Sequence, residues 1–149
     1  MIKVLFVCHG NICRSPMAEF VLKDMAAKKG MENNFEIASA ATSREEIGNG
    51  VHRGTKEKLK EQGISTKGKY AVQLKKEDYQ KYDYIIAMDQ NNIRNIKRII
   101  GEDKEKKVHL LLSFAKENRD IADPWYTGDF DKTYEDVVKG CKGFLETIL

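Results

Sequence analysis

The run Ile2-Lys3-Val4-Leu5-Phe6-Val7, followed by Cys8-His9-Gly10-Asn11-Ile12-Cys13-Arg14-Ser15-Pro16, decides the fold. Its first part is short and almost continuously apolar, as expected for a strand covered on both faces of a parallel sheet. Pro16 suits a first helical turn, where its missing N–H costs nothing. Ala18, Val21, Leu22 and Met25 then follow at helical spacing, and Gly30 closes the helix. Strand, tight turn and helix thus follow one another directly. In such sheets ligands bind beyond the carboxyl ends of the strands, which is where this turn lies.

The same alternation continues outward. Phe35 to Ser39 reads as a second strand, and a polar loop from Thr42 to Gly50 leads to a helix over Gly54 to Gln62, stopped by Gly63. Tyr84 to Met88 is the clearest later strand, with a helix over Asn91 to Ile100 behind it. Val108 to Leu112 is the fourth strand. Ile121 to Asp131, acidic and containing Pro124, reads as a loop, and Thr133 to Leu149 as a closing amphipathic helix. The expected fold is a three-layer α/β/α single domain over residues 1–149, with a four-stranded parallel sheet flanked by helices on both faces.

Composition narrows the function classes. The 149 residues suffice for one full core, and charged residues form 33% of the chain at a net charge of only +3. That balance calls for no nucleic-acid partner, and the Lys/Glu runs at 56–60 and 104–107 read as solvated faces. The apolar start is too short for a signal peptide or a membrane span, so a cytoplasmic protein without membrane association is expected. Three cysteines make no disulfide framework. As thiols they raise a question of reactivity instead.

A metal site is a poor explanation of the opening turn, since Cys8, His9 and Cys13 offer too few ligands and no second Cys pair exists. The cysteine spacing is also too wide for a thioredoxin-like redox pair. An anion cradle explains more residues. A strand-to-helix turn aims successive N–H groups inward, and the helix N-terminus adds partial positive charge. Gly10 lets the backbone bend, Asn11 tolerates a left-handed conformation, and Arg14 offers a planar fork for two phosphate oxygens. Cys8 would sit at the floor, where the N–H groups, Arg14 and the Ser15 hydroxyl all favour a nucleophilic thiolate. A nucleotide-binding glycine loop would carry a lysine and no such nucleophile.

The sequence Val7-Cys8-His9-Gly10-Asn11-Ile12-Cys13-Arg14-Ser15-Pro16 resembles the signature loop of low-molecular-weight protein tyrosine phosphatases. The similarity extends through Ser39 to Ser43, Tyr82 to Asp89 and Asp123-Pro124-Trp125-Tyr126. It implies hydrolysis of phosphotyrosine, in a protein or a small aryl phosphate, through a phosphocysteine on Cys8 and without any cofactor or metal. Residues 8–15, His9 included, would form the phosphate-binding loop, open also to free phosphate or sulfate. Asn11 and Ser15 would support it.

Asp123-Pro124 alone would be an ordinary turn. The resemblance makes Asp123 the general acid and then the base, with Trp125, Tyr126, Ile12 and Glu45 as pocket walls. It also implies that Cys13 can capture an oxidised Cys8 as a disulfide, whereas simple packing beside the loop accounts for Cys13 equally well. Asp89 is either a support for the site or a helix cap.

Two related activities compete. Protein-arginine phosphatases of this fold usually carry threonine where this chain has the wholly apolar Ile12. Thioredoxin-coupled arsenate reductases need further cysteines, and residues 82–100 contain none. The chain also departs from the pattern. Arg44 and Glu45 stand where an aromatic wall is common, and His9 replaces a small or apolar residue. His52 and His109 have no partner legible in the sequence, Cys141 reads as core, and a monomer is expected, with a dimer left open.

Overall fold

The computed structural model describes residues 1–149. Its sheet is formed by β1 (Ile2–Cys8), β2 (Phe35–Ala41), β3 (Tyr84–Ala87) and β4 (Val108–Leu110), all parallel, in the order β2-β1-β3-β4. The helices are α1 (Arg14–Lys28), α2 (Arg53–Glu61), α3 (Asp78–Lys81), α4 (Gln90–Ile100), α5 (Pro124–Thr127) and α6 (Phe130–Ile148). No helix is long and apolar enough to cross a membrane.

The two-residue period of β1 divides the core. Val4, Phe6 and Cys8 join Met17 and Leu22 of α1, and Val137, Cys141 and Phe144 of α6, on one face of the sheet. Leu5 and Val7 pack with Tyr79 of α3, Ile96 and Ile100 of α4, and Ile85 of β3 on the other. Both faces are therefore dry, which is why β1 could be nearly all apolar. The expected three-layer architecture is what forms. Because α1 leaves β1 towards one face and α4 leaves β3 towards the other, a crevice opens between their carboxyl ends.

The fourth strand is shorter than expected. Val108–Leu110 pairs with β3, but Leu111–Ala115 forms a 3-10 helix. The cause lies in α6, where a Cβ on Gly140 would come within 2.4 Å of Leu111 Cγ, and one on Gly143 within 2.2 Å of the Phe114 carbonyl oxygen. These glycines let the turn press onto α6 and bury Leu111 and Leu112 completely enough to outweigh further pairing. A short apolar run does not by itself distinguish the two outcomes. The stretch read as a loop from Ile121 also contains α5, and α6 begins at Phe130, capped by Asp129 through the Lys132 N–H at 2.9 Å.

Candidate active site

Cys8 ends β1 and Arg14 begins α1, so the turn between them spans the crevice. Asn11 sits at its apex with φ +59°, the left-handed conformation its short amide tolerates. Its backbone N–H donates to Cys8 Sγ at 3.3 Å. Its side chain is fully employed: Nδ2 donates to Ser15 Oγ at 2.8 Å and Ser39 Oγ at 2.9 Å, while Oδ1 accepts the Val72 N–H at 3.2 Å. With Ser15 Oγ accepting from Asn11, the serine hydrogen is free to point at Cys8 Sγ, 3.0 Å away. Two donors thus converge on the sulfur.

The chain of hydrogen bonds continues inward. Ser39 Oγ donates to Glu19 Oε1 at 2.5 Å, and the buried Glu19 carboxylate is held by Lys23 at 2.6 Å and Lys69 at 3.5 Å. Burial holds the Lys69 ammonium below the ordinary lysine range although Glu19 opposes the shift. Nothing in the local motif announced Glu19, Lys69 or Val72 as parts of the site. They arrive because β2 pairs with β1 and residues 71–74 run beside the end of β2.

Arg14 is buried, with Nη1 donating to Asp89 Oδ2 at 2.6 Å and to the Ile121 carbonyl at 2.9 Å. Those two acceptors fix the guanidinium plane and leave Nε, together with Nη2 beyond its long contact to Asp123, to meet a ligand. Burial would lower the pKa of Arg14, but the negative Cys8, Asp89 and Asp123 around it outweigh this and raise it. Asp89 holds both roles left open by the sequence. Oδ1 caps α4 through the Asn92 N–H at 2.7 Å while Oδ2 grips Arg14.

Asp123 approaches from the other wall. Oδ1 accepts the Trp125 N–H at 3.0 Å, capping α5, and Oδ2 lies 3.5 Å from Arg14 Nη2. Cys8, His9, Gly10, Ile12, Cys13, Arg14, Asp123, Trp125 and Tyr126 all line one pocket, together with Glu45 and Glu46. Ser15 and Asn11 stand behind it. Arg44, expected at the mouth, instead donates to Gln73 at 3.1 Å, and Glu46 takes its place against Gly10, where a Cβ would meet Glu46 Cγ at 3.3 Å. His9 pairs with Glu45 at 2.7 Å across the rim, a partner that the sequence did not reveal.

Cys13 is buried, and its thiol is pushed up to about 12, first by burial and then by the negative Cys8 and Asp123. It therefore stays protonated at neutral pH. Cys141 lies in the core as expected. No group of three or more His, Cys, Asp or Glu side chains is placed to hold a metal ion.

A family described as low molecular weight phosphotyrosine protein phosphatase matches residues 3–149. The chain belongs to this family. It is 43% identical to the low molecular weight protein-tyrosine-phosphatase YfkJ of Bacillus subtilis, over 99% of this chain and 96% of that one. It is also 43% identical to the Gallus gallus low molecular weight phosphotyrosine protein phosphatase, over 96% and 93% of the two chains. The crystal structure of YfkJ superposes with a TM-score of 0.96, covering 99% of this chain and 94% of the other. A structure named as a Drosophila arginine phosphatase, 30% identical, matches with a TM-score of 0.90 over 99% and 98%. Membership therefore fixes the fold and the kind of pocket, while one fold carries two differently named phosphatases.

Proposed function

We propose that the chain hydrolyses phosphotyrosine, in proteins or small aryl phosphates, through a phosphocysteine on Cys8. The observation that carries this reading is the convergence of Cys8 Sγ, the Arg14 guanidinium and the Asp123 carboxyl on one pocket. The phosphate dianion rests on the inward N–H groups of residues 9–15 and on Arg14. The Cys8 thiolate attacks phosphorus in line with the aryl oxygen, forming the S–P bond as the P–O bond breaks. Arg14 and the loop N–H groups hold the charge on the equatorial oxygens. Asp123 gives its proton to the departing phenoxide, then takes one from the water that attacks phosphorus and releases the Cys8 thiolate with inorganic phosphate. No metal or cofactor takes part.

The names of the two relatives described above support tyrosine as the substrate residue. Ile12 supports it further, since its side chain gives the pocket mouth apolar surface suited to an aryl ring and no polar group for a guanidinium. Steady-state assays on phosphotyrosine and phosphoarginine peptides, with chelator present, test both levels of the reading. Turnover of the phosphotyrosine peptide is expected for wild type. For Cys8→Ser we expect none, with phosphate still bound. Preference for phosphoarginine would transfer the chain to the rival activity. Turnover by Cys8→Ser would end the covalent mechanism.

A further inference from the structure

His52 lies outside the pocket yet touches both of its halves. Its backbone N–H donates to the Ile12 carbonyl at 2.8 Å, and Thr55 Oγ1 donates to the Cys13 carbonyl at 3.1 Å. The start of α2 is thereby tied to the phosphate loop. The imidazole stacks on Phe130, with centroids 5.2 Å apart and 20° between the planes, and meets Trp125 edge-on at 5.6 Å and 80°. Trp125 follows Asp123 closely, and Phe130 begins α6, so one ring is packed against both ends of the segment beyond Asp123.

Two details show how this contact is held. The Gly54 N–H donates to His52 Nδ1 at 3.0 Å, which caps α2, fixes the ring orientation and leaves the imidazole hydrogen on Nε2. Phe130 reaches the ring only because residue 54 is glycine, since a Cβ there would stand 2.4 Å from the Phe130 ring. Ile121 and Pro124 are buried at the start of the segment, but beyond them Trp125 is 56% and Tyr126 82% exposed, so the His52 ring is a main contact of its outer part. Asp123 Oδ1 in turn takes its orientation from the Trp125 N–H. A shift of Trp125 therefore moves the carboxyl, while the phosphate loop, with its own hydrogen bonds, stays in place.

We propose that His52 is a positioning residue: its ring holds the segment carrying Asp123 in register with the phosphate loop, so that the acid meets the leaving oxygen. The inference rests on the reading of Asp123 as the general acid. Two substitutions separate the functions of the side chain. His52→Asn keeps a capping acceptor and removes the ring, whereas His52→Phe keeps a ring and removes the acceptor.

Trp125 is the single tryptophan, so its fluorescence anisotropy reports the contact directly and independently of turnover. The measurements are that anisotropy, inhibition by inorganic phosphate, and kcat/KM over aryl phosphates of increasing leaving-group basicity. For His52→Asn we expect lower anisotropy, unchanged phosphate inhibition, and a loss of about tenfold confined to the most basic leaving groups. His52→Phe should keep the wild-type leaving-group dependence at a lower melting temperature. Unchanged anisotropy in His52→Asn overturns the inference, and so does a uniform kinetic loss or an equal loss in His52→Phe. Asp123→Ala serves as the control. Equal loss across leaving groups in that variant would remove Asp123 as the acid, and the Trp125 anisotropy would still decide whether His52 holds the segment.

Discussion

Residues 8–15 and residues 121–128 face each other across one pocket, yet they are held very differently. Asn11, Arg14 and Ser15 are at most 3% exposed, whereas Trp125 is 56% and Tyr126 82% exposed. Behind the phosphate loop, hydrogen bonds run from Cys8 through Ser15, Asn11 and Ser39 to Glu19. The acid segment has the Arg14 contact with the Ile121 carbonyl at its start and the His52–Phe130 stack at its end. The difference fits the chemistry proposed for each side. Donors that stabilise developing charge must be in place before the reaction, because reorganising them would consume the stabilisation they provide. A proton donor to leaving groups of various shapes needs an open approach, and product must escape past it.

The sharpest way to break this comparison is to remove the proposed acid, Asp123, alone. Asp123→Ala should lower kcat/KM by about a hundredfold or more for poorly leaving aryl groups, and much less for good ones that need no proton. Inhibition by inorganic phosphate should barely change, because the opposite wall remains intact. Weakened phosphate binding in this variant would show that the two walls are not independent.

Asn11 tests the braced side. Asn11→Ala removes three hydrogen bonds at once, those to Ser15, Ser39 and Val72, and with them the constraint on the backbone N–H donated to Cys8 Sγ. The orphaned Val72 N–H costs about 1–3 kcal/mol if left unpaired, and alanine at φ +59° adds roughly 1–2 kcal/mol. We expect a lower melting temperature and a loss in kcat/KM of about tenfold that is uniform across leaving groups. Asn11→Gly relieves the backbone strain without restoring the amide. It should therefore recover part of the stability and little of the rate. Recovery of full activity by glycine would mean that only the backbone conformation at Asn11 matters.

The two walls were also unequally legible in the sequence. The phosphate loop is contiguous, so Cys8, Gly10, Asn11, Arg14 and Ser15 could be assigned roles from their types and spacing between a strand and a helix. The supports come from elsewhere in the chain. Glu19 lies on α1 with no local mark of burial, while Lys69 reaches Glu19 and the Ser39 carbonyl, and Val72 reaches Asn11, only because the chain around residues 69–74 runs beside β2. Asp123-Pro124 is locally indistinguishable from a turn, and family resemblance rather than spacing singled it out. His52 has no sequence signal at all, since its partners Phe130 and Trp125 are distant in the chain. Contacts made through tertiary packing leave no periodicity to read. The same reason hid the turn of Leu111–Ala115 onto the glycines of α6.

The smallest expected effect concerns the rim, where the contrast extends to charge. The loop side of the pocket ends in the buried cation Arg14, but the mouth carries Glu45 and Glu46, with Asp123 beyond. Glu46 also accepts the Asn49 amide at 2.6 Å, which holds it near Gly10. Glu45 is 70% exposed on its side chain, and His9 at 2.7 Å offsets its charge only when protonated. A phosphotyrosine flanked by arginine should therefore be turned over faster than one flanked by glutamate. Exposed pairs contribute up to about 1 kcal/mol, so the preference should be about three- to fivefold in kcat/KM. It should shrink as salt is raised, because charges at the mouth are screened by solvent ions. Glu45→Gln combined with Glu46→Gln should abolish it while leaving phenyl phosphate turnover unchanged. A preference that survives both added salt and this double substitution would place selectivity in the shape of the pocket, with Ile12 and Trp125, rather than in the charge of its mouth.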